Sequence, residues 1–197
     1  MKKKKYFLKF ISALYLSVLF IGCNYVSEKN LQEEGKTLSN DSALLCKSGP
    51  GIISHFLTVT GDVKKNLVLT VDSLMKMNVK HIDNYITICQ TGNTDSVVKT
   101  YDGVLLKDIL EKAILNQLSH KDRAFYFVIN ATDNYKAVFS WGEIFNNLTG
   151  ENVFVVFREN GEPIKEKGEM KLICTSDIKT GPRHIYWLKE IKVCKIK

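Results

Sequence analysis

Apolar and polar residues alternate in a series of short runs after residue 50, and this patterning predicts a strand-rich domain. Strands are expected over His55–Gly61 (HFLTVTG), Leu67–Val71 (LVLTV), Tyr85–Cys89, Val97–Tyr101, Phe125–Ala131 and Tyr135–Phe139, where β-branched and aromatic residues alternate between turn residues. Thr91-Gly92-Asn93, Thr132-Asp133-Asn134 and Glu159–Pro163 carry the turn chemistry. Val153–Arg158 (VFVVFR) is almost wholly apolar, which places it centrally in a sheet with both faces covered. Met170–Cys174 and Glu190–Ile196 complete the strands. Helices are fewer. One or two turns are expected over Asp72–Met77, an amphipathic helix over Val104–Leu118 with apolar residues at 105, 106, 109, 110, 113 and 114, and a short helix over Trp141–Leu148. The expected class is α+β, a mixed β-sheet domain with few short helices.

The N-terminus follows a different pattern. Lys2–Lys5 precede a mostly apolar run to Ile21 and then Gly22-Cys23, the parts of an export signal. Its uninterrupted apolar stretch, residues 10–22, is shorter than the roughly 20 residues that span a bilayer. Leu19, Gly22 and Cys23 resemble the bacterial lipobox, with Phe20 bulky for its position. That resemblance implies a signal peptide over 1–22, acylation of Cys23 and several acyl chains that hold the protein on a membrane. Asn24 is not an acidic retention residue, which favours the outer membrane. Residues 23–50 are polar and suit a tether, leaving 51–197 for one compact domain.

Signal removal changes the meaning of the charge. The whole chain has 28 basic and 21 acidic residues, +7 formally, with a pI of about 9.1. Five lysines and no acidic residue fall within 1–22, so 23 basic residues remain against 21 acidic, a charge of +2. The basic pI therefore reports the leader, and a nucleic-acid partner is not expected. Besides Cys23 there are Cys46, Cys89, Cys174 and Cys194. An oxidising compartment would allow three full pairings among these four, and sequence does not choose between them. If the last two strands are neighbours, Cys174 and Cys194 could fasten the C-terminus. No CxxC spacing exists, and His55, His81 and His120 show no metal-ligand spacing.

Four stretches in order are similar to the oxidoreductase molybdopterin-binding domain of the sulfite oxidase family. LTVTGDVKKNLVLTVDSLMKM (Leu57–Met77) resembles its strand, Gly turn, Leu-rich strand and short helix. Tyr101-Asp102-Gly103-Val104-Leu105-Leu106-Lys107-Asp108-Ile109-Leu110 resembles its aromatic-x-Gly-Val-x-Leu-x-x-x-Leu segment. Ala131-Thr132-Asp133-Asn134-Tyr135, with Phe139, Ser140 and Glu143, and finally Gly181-Pro182-Arg183-His184-Ile185-Tyr186-Trp187-Leu188, resemble the later ones.

The resemblance implies a molybdopterin cofactor whose molybdenum takes a Cys thiolate, a ligand suited to a soft metal centre. Cys89, in Cys89-Gln90-Thr91-Gly92-Asn93, is similar to the family's Cys-Ala-Gly-Asn with one residue inserted, and is the candidate metal ligand. The alternative is a small buried residue or half of a disulfide. Arg183 and His184 match the segment that holds the pterin phosphate, where Arg makes planar bidentate pairs with oxyanions. The lysine the family places two residues after His184 is Tyr186 here. Arg183 could equally serve as a loop residue paired with a carboxylate. The leader has no arginine pair, unlike the twin-arginine signals of proteins exported with this cofactor in place.

Two functional readings follow. The favoured one is a degenerate, non-catalytic binding or partner-contact module with no cofactor and no catalytic residue assigned. The other is a small molybdenum oxidoreductase, transferring oxygen atoms or electrons, with Cys89 on the metal and Arg183 and His184 on the pterin. It requires a free Cys89 thiolate.

Overall fold

The computed structural model describes residues 51–95 and 97–197. The expected signal peptide, Cys23, the tether and Cys46 lie outside the described residues. Among the described residues, no helix is long and apolar enough to cross a membrane.

Among the described residues, ten strands form two sheets, the first mixed and the second antiparallel. The first sheet has the order β2-β1-β10-β5-β6 and comprises β1 (Leu57–Gly61), β2 (Leu67–Leu69), β5 (Phe125–Ala131), β6 (Lys136–Ser140) and β10 (Leu188–Lys195). β1 and β10 run parallel, pairing Val59 with Ile191, and the other neighbours are antiparallel. Alternation explains its placement: Leu57 and Val59 of β1, and Phe125, Phe127 and Ile129 of β5, are buried, while the residues between them are only partly covered. One face meets the core and the other meets water.

The second sheet comprises β3 (Val79–Tyr85), β4 (Lys99–Leu105), β7 (Val153–Glu159), β8 (Glu162–Pro163) and β9 (Lys171–Cys174), with β7 flanked by β4 on one side and by β8 and β9 on the other. Val153 to Phe157 are all buried. Val153, Val155 and Phe157 belong to the core between the sheets. Phe154 and Val156 join Ile82, Tyr85, Tyr101, Leu105, Ile164 and Ile173 in a second cluster. The central position expected for this strand is thus observed. Asn160 and Gly161, at φ 54° and 81°, close the β7–β8 hairpin with the two left-handed residues of a type I′ turn.

Three α-helices occur among the described residues: α1 (Val71–Met75), α2 (Leu106–Ala113) and α3 (Trp141–Phe145). Thr70 caps α1 through its hydroxyl, and Ser140 and Glu143 form a capping box on α3. Helix α2 buries Leu106, Ile109, Leu110 and Ala113. It stops at Ala113, five residues short of the expected end at Leu118. Ile114 adopts φ 61°, and the β1–β2 loop captures the helix end, Lys64 and Lys65 N–H donating to the carbonyls of Ile114 and Ala113 at 2.7 and 3.0 Å. These bonds satisfy carbonyls that a longer helix would have used itself.

Two further expectations are corrected. The strand expected over Tyr85–Cys89 lies instead at Val79–Tyr85, and its partner runs from Lys99 to Leu105, into the start of the expected helix. β3 is an edge strand that buries only Ile82 and Tyr85, so it lacks the alternation that reveals a half-buried strand. A Cys174–Cys194 disulfide is not formed: both cysteines are free. Their strands belong to different sheets, β9 pairing with β7 and β10 with β1 and β5.

Candidate functional site

The loop after β3 and the segment before β10 are joined by a set of short bonds around Thr180. Its buried hydroxyl donates to the Ile86 carbonyl at 2.7 Å and accepts from the Ile88 N–H at 2.8 Å. Gly181 N–H donates to the Ile88 carbonyl at 2.8 Å. A Cβ at Gly181 would sit 2.9 Å from that carbonyl and 3.2 Å from Cys89 Cα, so the close approach demands glycine. Cys89 closes its own turn, its N–H donating to Asn93 and its carbonyl accepting from Gly92, both at 2.8 Å. The fold therefore packs the Cys89 turn on Gly181, the first residue of the segment that carries Arg183 and His184. Cys89 is disulfide-bonded.

Arg183 lies in a 3₁₀ turn at Gly181–Arg183. Its Nε donates to Asp177 Oδ2 at 2.7 Å, Nη2 donates to Asp177 Oδ1, and Nη1 donates to Glu143 Oε1 at 2.9 Å. The guanidinium stacks over Phe139, 4.3 Å from the ring centroid, and Nη2 points to Cys174 Sγ at 3.9 Å. Burial pushes the Glu143 carboxyl upward, but bonds from Ser140 and Arg183 outweigh it and leave the group below its ordinary value. Arg183 is held above its own already high value, first by the Asp177 bond. Glu143 and Arg183 are thus each held in the charged form by the other.

His184 points the other way, into the second apolar cluster. It is 4% exposed, stacks on Tyr186 at 4.3 Å, and meets Tyr85 and Tyr101 edge-on at 5.5 and 6.3 Å. Nδ1 lies 3.3 Å from Thr87 Oγ1. Among the described residues, His184 Nε2, Tyr85 Oη and Tyr101 Oη are buried without a hydrogen-bond partner. Burial, reinforced by Lys171 and Lys99, drives the imidazole down to about 3, so it is neutral at physiological pH.

Behind Tyr186 lies a pocket of about 280 Å³ lined by Lys99, Lys165, Lys167, Lys171, Glu159, Glu166 and Tyr186, with Asn160, Pro163 and Ile164. Glu159 bridges two lysines, with Lys99 Nζ at 2.7 Å and Lys171 Nζ at 2.6 Å. Patterning missed this cluster. Its one sequence signal is Lys171, a lysine at the head of an apolar strand, whose side chain is only 5% exposed. Among the described residues no group of three or more His, Cys, Asp or Glu side chains could hold a metal ion.

The comparison with curated proteins gives no match. Among solved structures, the sulfane dehydrogenase SoxCD from Paracoccus pantotrophus aligns with a TM-score of 0.49 and 16% identity, over 71% of this chain and 38% of that one. The chain therefore spans well under half the length of that protein. Residues 50–197 match the family described as the oxidoreductase molybdopterin binding domain. With three quarters of its length inside that match, the chain belongs to the oxidoreductase molybdopterin binding domain family.

Proposed function

We propose that this domain is a non-catalytic binding or partner-contact module, exported and held on the envelope by lipid on Cys23, that keeps the family's fold without its metal chemistry. The observation that carries the reading is the state of Cys89. A cysteine in a disulfide offers no thiolate, and the thiolate is the form that ligates metal. The basic residues fit the cofactor no better. Arg183 spends its donors on Asp177 and Glu143, and two carboxylates in front of a guanidinium repel a phosphate. His184 is enclosed by Tyr85, Tyr101 and Tyr186 and is neutral. The alternative, a small molybdenum oxidoreductase, draws on the packing of the Cys89 turn against the segment that carries Arg183 and His184 and requires reduction of the disulfide.

The test is molybdenum per chain, measured by elemental mass spectrometry on full-length protein expressed in a cofactor-producing host and purified from the envelope. The expected result is folded protein with no molybdenum. A near-stoichiometric amount, abolished by Cys89→Ser, would overturn the reading in favour of the enzyme. Lipid anchoring is tested separately: Cys23→Ser should move the chain out of the membrane fraction, and retention there would exclude a lipid on this residue.

A further inference from the structure

Two ammonium groups share one carboxylate in the pocket beside Tyr186, and a third stands over the Tyr186 ring. Lys99 and Lys171 converge on the two oxygens of Glu159. Lys167 Nζ lies 4.4 Å and Lys171 Nζ 5.3 Å from the centroid of the same Tyr186 ring. Lys165 and Glu166, both exposed on the rim, balance one another. Lys99, Lys167 and Lys171 against Glu159 leave two positive charges in excess, and one of these lysines, Lys171, is almost fully buried. Each ammonium carries three donors, and Glu159 takes one from Lys99 and one from Lys171. Donors remain on all three lysines.

The neighbours register the excess charge. Lys171 is pushed below its ordinary value, by burial first and then, against the pull of Glu159, by Lys99 and Lys167. Tyr186 is held up to about 12 by burial, so its hydroxyl stays protonated and able to donate. It occupies the position where the family resemblance places a lysine, which replaces a fourth cation by an aromatic wall with a neutral donor.

We propose that this pocket binds a small doubly charged oxygen anion, of which inorganic phosphate is the simplest probe, on Lys99, Lys167, Lys171 and Tyr186. A dianion would neutralise the excess charge and use donors that the fold leaves unpaired. A pocket of about 280 Å³ sits at or below the small end of cavities that enclose drug-sized ligands, which suits a phosphate or a short dicarboxylate. This rests on the non-catalytic reading in one respect: the pocket must be free of pterin.

The experiment is a titration of the full-length protein with inorganic phosphate, sulfate and succinate at ionic strength fixed by sodium chloride, read by calorimetry and thermal unfolding. At least one dianion should bind saturably and raise the unfolding temperature. Lys167→Glu should weaken binding tenfold or more, Lys167→Gln less, and the remote Lys121→Glu should leave it unchanged. Lys167 is exposed, so its variants keep the fold, which their unfolding temperature in chloride checks. No dianion binding above chloride, or full binding by Lys167→Glu, overturns the inference. Molybdenum is measured on the same preparation. Its presence overturns the non-catalytic reading whatever the titration gives, whereas a metal-free protein that ignores all three anions overturns only the pocket assignment.

Discussion

Arg183 and Asp177 form a two-pronged ion pair, Nε on one carboxylate oxygen at 2.7 Å and Nη2 on the other. Planar guanidinium meets planar carboxylate in the geometry that Arg alone provides. The third prong, to Glu143 at 2.9 Å, ties the turn before β10 to the capping box of α3, because the same carboxyl receives the Ser140 N–H at 2.8 Å. A residue that in the family resemblance would face a cofactor phosphate instead fastens one sheet connection to a helix start.

Arg183→Lys should therefore cost stability. A lysine cannot span Asp177 and Glu143 together and loses the stacking on Phe139, and the cost should be about 2 kcal/mol, the scale of a charge-assisted bond lost in a partly buried site. For a domain of this size that lowers the unfolding temperature by about 4–8 °C. An unchanged unfolding temperature would mean that Arg183 is not committed to its carboxylates and is available to an anion.

The cysteines should sort into two reactivity classes. Alkylation in denaturant without reductant should mark Cys174 and Cys194, which are free, and leave Cys89 unmarked until the protein is reduced. In the folded protein Cys194, which is partly exposed, should react before Cys174, whose thiol burial raises and shields. Peptide mass spectrometry reads both. A peptide linking Cys174 to Cys194 would contradict the separation of their strands into two sheets.

How much of this was legible in the sequence depends on whether the signal was local. β7 could be read from VFVVFR because a strand buried on both faces has no polar positions to obscure it. β3 could not, since Lys80, His81, Asp83 and Asn84 face water along an edge. The end of α2 was hidden for another reason: Ile114 continues the apolar spacing, but it turns the chain at φ 61° and the next residue, Leu115, bridges Val63 outside the helix. At the site, Cys89, Arg183 and His184 came from the family resemblance, and the fold packs the Cys89 turn on Gly181 at the head of the segment that carries the other two. The partners that decide their chemistry did not. Asp177 and Glu143 carry no pattern that marks them as carboxylates for Arg183, and Lys99, Glu159 and Lys171 meet only once β4, β7 and β9 have paired.

Gly103 offers a test of that pairing. It lies at the register shift between β4 and β7, and a Cβ there would stand 2.5 Å from the Val155 carbonyl and 2.8 Å from Val156 Cα. Backbone atoms cannot swing aside as a flexible side chain can. Gly103→Ala should destabilise by about 2 kcal/mol, within the range for overpacking a tight interior, and denaturant unfolding would measure it. A neutral effect would mean that the two strands are farther apart at this bulge.

His184 should make the protein acid-sensitive well above the carboxylate range. Its folded value of about 3 lies far below the roughly 6.5 of an unperturbed histidine, so the unfolded chain binds a proton that the folded chain refuses. Stability is complete above about pH 6.5 and falls as the pH drops toward 3, with a slope approaching about 1.4 kcal/mol per pH unit. Glu159 adds a loss of the same sign at lower pH. Burial raises it, but Lys171 and Lys99 outweigh burial and hold it at about 2 against an ordinary 4.5, so its contribution fades only below 4.5. His81 opposes both, being raised chiefly by its bond to Asp102, and its contribution is the same with or without His184. The interval from pH 6.5 to 4.5 thus isolates His184 in a comparison with His184→Phe, which keeps an aromatic ring against Tyr85 and Tyr186. Denaturant midpoints of the parent should fall across that interval while those of the variant stay nearly flat, and parallel curves would show that the imidazole is not enclosed.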